Sequence, residues 1–286
     1  MVKDYWDLIH QLPKIRKTNY DLALAFSQIG SFYTKISAAD NYIDFTTIEA
    51  GSEISVTEMC LKVLEKALIT TGRTSNPDYF NTEYWIDNED IFKADKFLDR
   101  SKYNENYPLI AIHCGGHYFP RKRWPLPGFI QLIHRLKSEF PSQIVLVGGI
   151  EDLHNSLEIK FEIPEVLVAA GCLKLSETAA LLQRCQLFIG NDSGPLHLGA
   201  AMNIKTLGLF GPTTPKQFHP YCVVKHRYVY KKTHCSPCYK FRGSIFQYLP
   251  RCSKPYCMEG ITTEDLLPEI EALLTDAPIS VNHCLQ

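Results

Sequence analysis

In the second half of the chain, apolar residues gather in short unbroken runs separated by stretches of helical spacing. Leu109-Ile110-Ala111-Ile112 is one such run and ends at His113-Cys114-Gly115-Gly116. From about Pro127 onward, Phe129, Leu132, Ile133 and Leu136 fall on one face of a helix. Ile144 to Val147 predicts the next strand, stopped by Gly148-Gly149, and the acidic pair Glu151-Asp152 suits the positive end of a following helix. Val166-Leu167-Val168 predicts a third strand. Ser176 with Glu177 reads as the N-cap of a helix carrying Ala179, Leu181 and Leu182. Leu187-Phe188-Ile189 and Thr206 to Phe210 predict two more strands. Unbroken apolar runs belong to parallel strands covered on both faces. Repeated strand-helix units with short loops predict a doubly wound α/β domain.

The flanks are less regular. A helix from Leu8 to Lys17, a strand from Tyr20 to Phe26, a helix from Val56 to Leu68 and a charged helix from Glu89 to Arg100 are expected. The boundary is expected near 101–106, giving a partial first domain over 1–105, a second over 106–276 and a loose tail over 277–286. From Phe218 to about Gly260 the chain is rich in aromatic, basic and cysteine residues, with little periodicity. Thr262-Thr263-Glu264-Asp265 then caps a closing helix with Leu266, Leu267, Ile270 and Leu273 on one face.

Composition narrows the function classes. A formal net charge of -1 supplies no global basic field, so nucleic acid is not an expected partner. Local basic groups exist at Arg121-Lys122-Arg123 and Lys231-Lys232. No run approaches the ~20 apolar residues of a membrane span. The opening Met-Val-Lys-Asp-Tyr-Trp-Asp lacks the basic-then-apolar order of a secretory signal. A cytoplasmic protein is expected, with peripheral contact at a membrane surface left open. Cys60, Cys172 and Cys185 sit in apolar-periodic segments and read as small core residues. Cys235-x2-Cys238 with Cys252-x4-Cys257 has some likeness to a zinc knuckle, but the second spacing is loose. Reduced loop cysteines are the default in a cytoplasmic setting, so no metal is expected.

Three turns at strand ends carry the candidate chemistry. In Gly190-Asn191-Asp192-Ser193-Gly194-Pro195-Leu196-His197 a strand gives way to a helix; Asp192 and Ser193 can cap it, and Gly194 lets a ligand approach the backbone. The open N–H groups and dipole of such a helix favour an anion. His113-Cys114-Gly115-Gly116 is a second small-residue turn, followed by Lys122, which can neutralise a phosphate. Gly208 to Pro215 is a third. Each alone reads equally as an ordinary turn. Three at the strand ends of one sheet form a rim suited to a diphosphate.

The strings IHCGG…RKRWP, VLVGGIED, FIGNDSGPLHLGAAM, LGLFGPTTP and HCSPCYK…RC…YCMEGITTEDLL resemble, in this order, glycosyltransferase family 9, the heptosyltransferases. The resemblance spans roughly Leu109 to Leu274. It implies a GT-B fold, two Rossmann-like domains facing a cleft, and inverting transfer of heptose from ADP-heptose to a lipopolysaccharide core without a required metal. It further implies a lipid-linked saccharide acceptor at the inner membrane surface. Carried over residue by residue, it sets Lys122 against the diphosphate, offsetting leaving-group charge. Gly115 and Gly116 would offer backbone contacts, Glu151 would reach the ribose and Leu175 the adenine. Asp192, Ser193, Gly194 and His197 would line the donor site, with the Ser193 and Gly194 N–H groups on phosphate. The family opens with a basic strand and a Gly-Asp loop whose Asp is the candidate general base. Nothing in this sequence matches that segment, so the first domain is expected to be incomplete and the base is unassigned.

The leading expectation is therefore a glycosyltransferase that uses an ADP-sugar. Its rivals are a non-catalytic nucleotide-sugar-binding protein that has lost its base, and a sugar-nucleotide epimerase. A nicotinamide-dependent oxidoreductase is disfavoured, because no G-x-G-x-x-G follows a strand.

Overall fold

The computed structural model describes residues 17, 20–25, 39–44, 54–73, 82–116, 120–220, 225–242, 245–248, 252 and 254–275. Apart from Lys17, the helix expected over Leu8 to Lys17 lies outside them, as does the tail. The chain divides into two compact units. One comprises Met1–Tyr79, Lys216–Phe218 and Tyr239–Tyr248; the other comprises Phe80–Pro215, His219–Cys238 and Leu249–Gln286.

In the first unit, β1 (Leu22–Ala25) and β2 (Asn41–Asp44) pair in parallel. Helix α1 (Val56–Thr70) starts at Ser55, whose hydroxyl accepts the Glu58 N–H at 3.0 Å. Met59, Val63 and Ala67, four residues apart, form its buried stripe and pack with Ile43, Leu22 and Leu24. An antiparallel hairpin over Tyr239–Arg242 and Ile245–Tyr248 belongs to the same unit.

The second unit opens with α2 (Asn88–Arg100), whose Asp87 and Asp90 form a reciprocal capping box. There follow β3 (Leu109–His113), α3 (Leu126–Glu139), β4 (Gln143–Leu146), α4 (Leu153–Glu162), β5 (Leu167–Val168) and α5 (Leu175–Leu182). Then come β6 (Leu187–Asn191), α6 (Gly194–Ala201), β7 (Lys205–Phe210), β8 (His226–Tyr230) and α7 (Thr263–Leu274). The six strands are all parallel and lie in the order β5-β4-β3-β6-β7-β8. Chain order runs outward in both directions from the β3–β6 pair, so this is where a crevice opens at the strands' carboxyl ends.

The core follows the apolar pattern. Phe129, Leu132, Ile133 and Leu136 of α3 are fully buried, and every residue of β3 is buried. Trp124 meets Phe129 edge-on, with ring centroids 4.9 Å apart, and its indole N–H donates to the Ile261 carbonyl at 2.9 Å. That bond ties the start of α3 to the segment before α7. Thr262 and Asp265 cap α7 as the sequence suggests.

Four features depart from the sequence expectations. β8 lies inside the stretch that shows little periodicity; as an edge strand it buries only His226 and Val229, so no apolar run marks it. Helix α5 begins at Leu175, one residue before the expected cap Ser176. Glu177 accepts the Lys174 N–H at 2.8 Å, and the Ser176 hydroxyl donates to Asp90 at 2.6 Å. Helix α2, which the sequence places before the domain boundary, packs on α5 within the second unit, where Arg184 grips Asp95 with two bonds of 3.0 and 2.8 Å. Of the three cysteines expected in the core, Cys185 is buried, Cys60 is half-buried and Cys172 is exposed.

Candidate nucleotide-sugar site

A cavity of about 510 Å³ opens at the carboxyl ends of β3, β4 and β6. Gly116 and Lys122 line it from the segment after β3, Glu151 from the segment after β4, and Leu175 from the start of α5. Asp192, Ser193 and Gly194 line it from the turn between β6 and α6. Seven of the nine candidate residues thus share one wall-to-wall site. Gly115 and His197 do not line it.

Gly115 acts from behind. Its carbonyl accepts the Asn191 side-chain N–H at 2.9 Å, and a Cβ on it would fall 1.7 Å from Asp152 Oδ1. Gly148 cups the same carboxylate and has φ of 153°, a backbone geometry that suits glycine alone. His197 is exposed over part of its surface on α6. Desolvation of its ring lowers its pKa below the ordinary histidine range, and the Asp192 carboxylate opposes that shift.

Asp192 and Ser193 stand where caps were expected, and neither caps the helix. Ser193 occupies the N-cap position of α6 without a side-chain capping bond. Pro195 explains part of this, since it removes one N–H, and the Leu196 N–H is taken by the Ser193 carbonyl at 3.1 Å. The Asp192 carboxylate, almost fully buried, instead receives Lys122 Nζ at 2.6 Å and the Thr213 hydroxyl at 2.7 Å on one oxygen. A Cβ on Gly194 would meet no atom within 4 Å, so packing does not demand a glycine there.

Three polar residues of the cavity wall, His113, Asp152 and Asn191, stand inside the sequence motifs without an assigned role. Asn191 binds two loops at once, accepting the Trp124 N–H at 2.9 Å while donating to Gly115. His113 Nε2 lies 3.2 Å from Asp152 Oδ2, and its Nδ1 lies 3.1 Å from the Ser193 hydroxyl. Burial opposes charge on Asp152. The His113 ring and the Gly149 and Gly116 N–H groups outweigh it, so the carboxyl stays below its ordinary range. Nothing short-range pairs these residues. His113 also stands out as a polar residue closing an otherwise apolar strand.

The clustered cysteines take a different part of the fold. Cys238 and Cys257 are buried, Cys252 is half-buried and Cys235 exposed. Burial, with the neighbouring Cys238 adding to it, pushes the Cys257 thiol up to about 11. Among the described residues, no three His, Cys, Asp or Glu side chains are arranged to hold a metal ion.

The sequence matches the model of glycosyltransferase family 9 (heptosyltransferase) over residues 73–248. Lipooligosaccharide heptosyltransferase 2 of Haemophilus influenzae is 32% identical over 130 residues, covering 44% of this chain and 37% of that protein. The match thus spans well under half of the relative's length. Among solved structures, a glycosyltransferase family 9 protein from Veillonella parvula superposes with a TM-score of 0.75 at 20% identity, covering 96% of this chain and 81% of that one. ADP-heptose lps heptosyltransferase II of E. coli gives a TM-score of 0.68 at 20% identity, over 93% of this chain and 80% of that one. These likenesses show that the fold is the α/β fold of those enzymes.

Proposed function

Because the chain belongs to glycosyltransferase family 9, we propose that the cavity at the β3–β6 switch point holds the nucleoside diphosphate of a nucleotide sugar. The whole protein then acts as an inverting glycosyltransferase. It moves heptose or a related sugar from an ADP-sugar to a lipopolysaccharide-core or similar saccharide.

The observation that carries this reading is the gathering of Gly116, Lys122, Glu151, Leu175 and the Asp192–Gly194 turn in one cavity. All but Leu175 stand in the strings that carry the family resemblance. The start of α6 supplies backbone N–H groups and a positive dipole end, which favour phosphate oxygens. The open space over Gly194 supports a ligand lying against the backbone. Lys122 offsets the charge that builds on the departing ADP. Its ammonium rests on Asp192, and a diphosphate would share it. Leu175, 62% exposed, offers an apolar surface for the adenine, and Glu151 lies within the same cavity to accept ribose hydroxyls.

Inversion requires a base for the acceptor hydroxyl. The two buried carboxylates of this cavity are engaged, Asp152 by His113 and Asp192 by Lys122. No base is assigned to a residue of this cavity. The acceptor is a lipid-linked saccharide, which sets the protein to work at the cytoplasmic face of the inner membrane. No described helix is long and apolar enough to cross a membrane.

Calorimetric titration with ADP, UDP and NAD tests the donor site. ADP is expected to bind best, and Lys122→Ala and Asp192→Ala are each expected to weaken it at least tenfold. A well-folded chain that binds neither ADP nor UDP would overturn the reading and leave a protein without a donor site.

A further inference from the structure

Ser193 is held by a group to which the sequence motifs assign no role. Its hydroxyl lies 3.1 Å from His113 Nδ1 and 3.1 Å from the Asn191 carbonyl oxygen. His113 and Asp152 are 2% and 4% exposed, so the ring is fixed in the protein interior between a carboxylate and this hydroxyl. Asp152 is fixed in turn, accepting the Gly149 N–H at 3.0 Å in a pocket that leaves no room for a side chain at Gly115.

Hydrogen-bond accounting sets the direction of the chain. A hydroxyl has one proton to give and two lone pairs to receive. With Nε2–H donating to Asp152, Nδ1 accepts the Ser193 hydroxyl proton; turned the other way, the hydroxyl gives that proton to the Asn191 carbonyl. Either way, the hydroxyl is kept from turning into the cavity or toward its own helix. The Asp192–Ser193–Gly194 turn is thus pinned on one side by Lys122 and Thr213 at Asp192 and on the other by His113 at Ser193.

We propose that His113, oriented by Asp152, is a positioning residue of the donor site: it acts through Ser193 to fix the turn whose backbone N–H groups receive the diphosphate. It need not touch the nucleotide. Its effect reaches the ligand through one side-chain bond and lies in the geometry of the neighbouring turn. The inference rests on the donor-site reading above and adds the residue that holds that site in shape.

Two isosteric substitutions separate the halves of the ring. Asn at 113 can mimic Nδ1 and keep the bond to Ser193; Gln reaches toward Asp152 in place of Nε2. ADP affinity is measured by calorimetry for His113→Asn, His113→Gln and Ser193→Ala, and for each 113 variant combined with Ser193→Ala. His113→Gln is expected to weaken ADP roughly tenfold and His113→Asn no more than about threefold. In the Ser193→Ala background, His113→Gln should change affinity less than twofold further, because the partner through which it acts is gone. Equal losses in the two 113 variants, or full additivity with Ser193→Ala, would overturn the proposal and leave His113 as a general support of the fold. Unaltered ADP binding in His113→Gln would overturn it too, while leaving the donor site standing. Absence of ADP binding in the unsubstituted chain would be seen in the first titration and would remove the donor-site reading itself, and this inference with it.

Discussion

Lys122 and Asp192 meet at 2.6 Å across the cavity, between a short helical turn after β3 and the turn after β6. The side chains are 16% and 4% exposed, so this is a nearly buried ion pair rather than a surface one. Removing one partner of such a pair strands the other charge away from water, which costs about 3–5 kcal/mol in buried cases. Lys122→Met is therefore expected to lower the unfolding free energy by roughly 3 kcal/mol, read from urea denaturation. Adding Asp192→Asn should restore most of the loss, since the amide keeps an oxygen for the Thr213 hydroxyl. A double variant no more stable than Lys122→Met would show that the pair is not what couples the two turns.

The second expectation concerns Gly115. An added Cβ there would sit 1.7 Å from Asp152 Oδ1 and 2.2 Å from its Cγ. Asp152 must then move, and His113 loses its carboxylate. Gly115→Ala is expected to destabilise the chain by about 2–4 kcal/mol, the range of overpacking combined with a broken buried pair. Thermal and urea unfolding read this directly. Wild-type stability in Gly115→Ala would mean that the carboxylate has another place to go and that the His113–Asp152 bond is dispensable to the fold.

A third expectation follows from the histidines near β8. Desolvation lowers both His219 and His226 to about 4, and His226 is 6% exposed with Nδ1 2.9 Å from the Thr206 hydroxyl. Unfolded histidine titrates near 6.5. Below that value the unfolded chain takes up protons that the folded chain refuses, so stability falls as pH falls. Each histidine contributes stability that is whole above about 6.5 and lost progressively toward 4, on the order of 2 kcal/mol between pH 7 and 4.5. Urea midpoints at pH 7, 5.5 and 4.5 measure the slope, and His226→Asn should make it about half as steep. A slope unchanged by that substitution would assign the acid sensitivity elsewhere.

How much of this was legible beforehand depends on the range of the interaction. β3 and α3 are plain in the sequence because burial on both faces of a strand, or on one stripe of a helix, leaves a local pattern. Lys122, Asp192, Ser193 and Gly194 could be marked because the family motif keeps them in recognisable strings. The bond from His113 to Asp152 joins positions 39 apart, and that from His113 to Ser193 positions 80 apart. No local periodicity encodes either one; they exist only once β3, β4 and β6 lie side by side. β8 was missed for the opposite reason: as an edge strand it buries too few side chains to leave a signal.

Asn191 gives the cavity a further property. Its amide joins the Gly115 loop and the start of the α3 segment at Trp124 to the end of β6, with both bonds at 2.9 Å and the side chain wholly enclosed. Asn191 thereby fixes the backbone behind the cavity, at Gly115 and Trp124, to the strand that runs into the cavity's own Asp192 turn. The conformational entropy of arranging them is surrendered in folding, so association has less disorder to overcome. Under the donor-site proposal, a nucleotide would meet walls already held in place, which favours capture limited by diffusion and orientation.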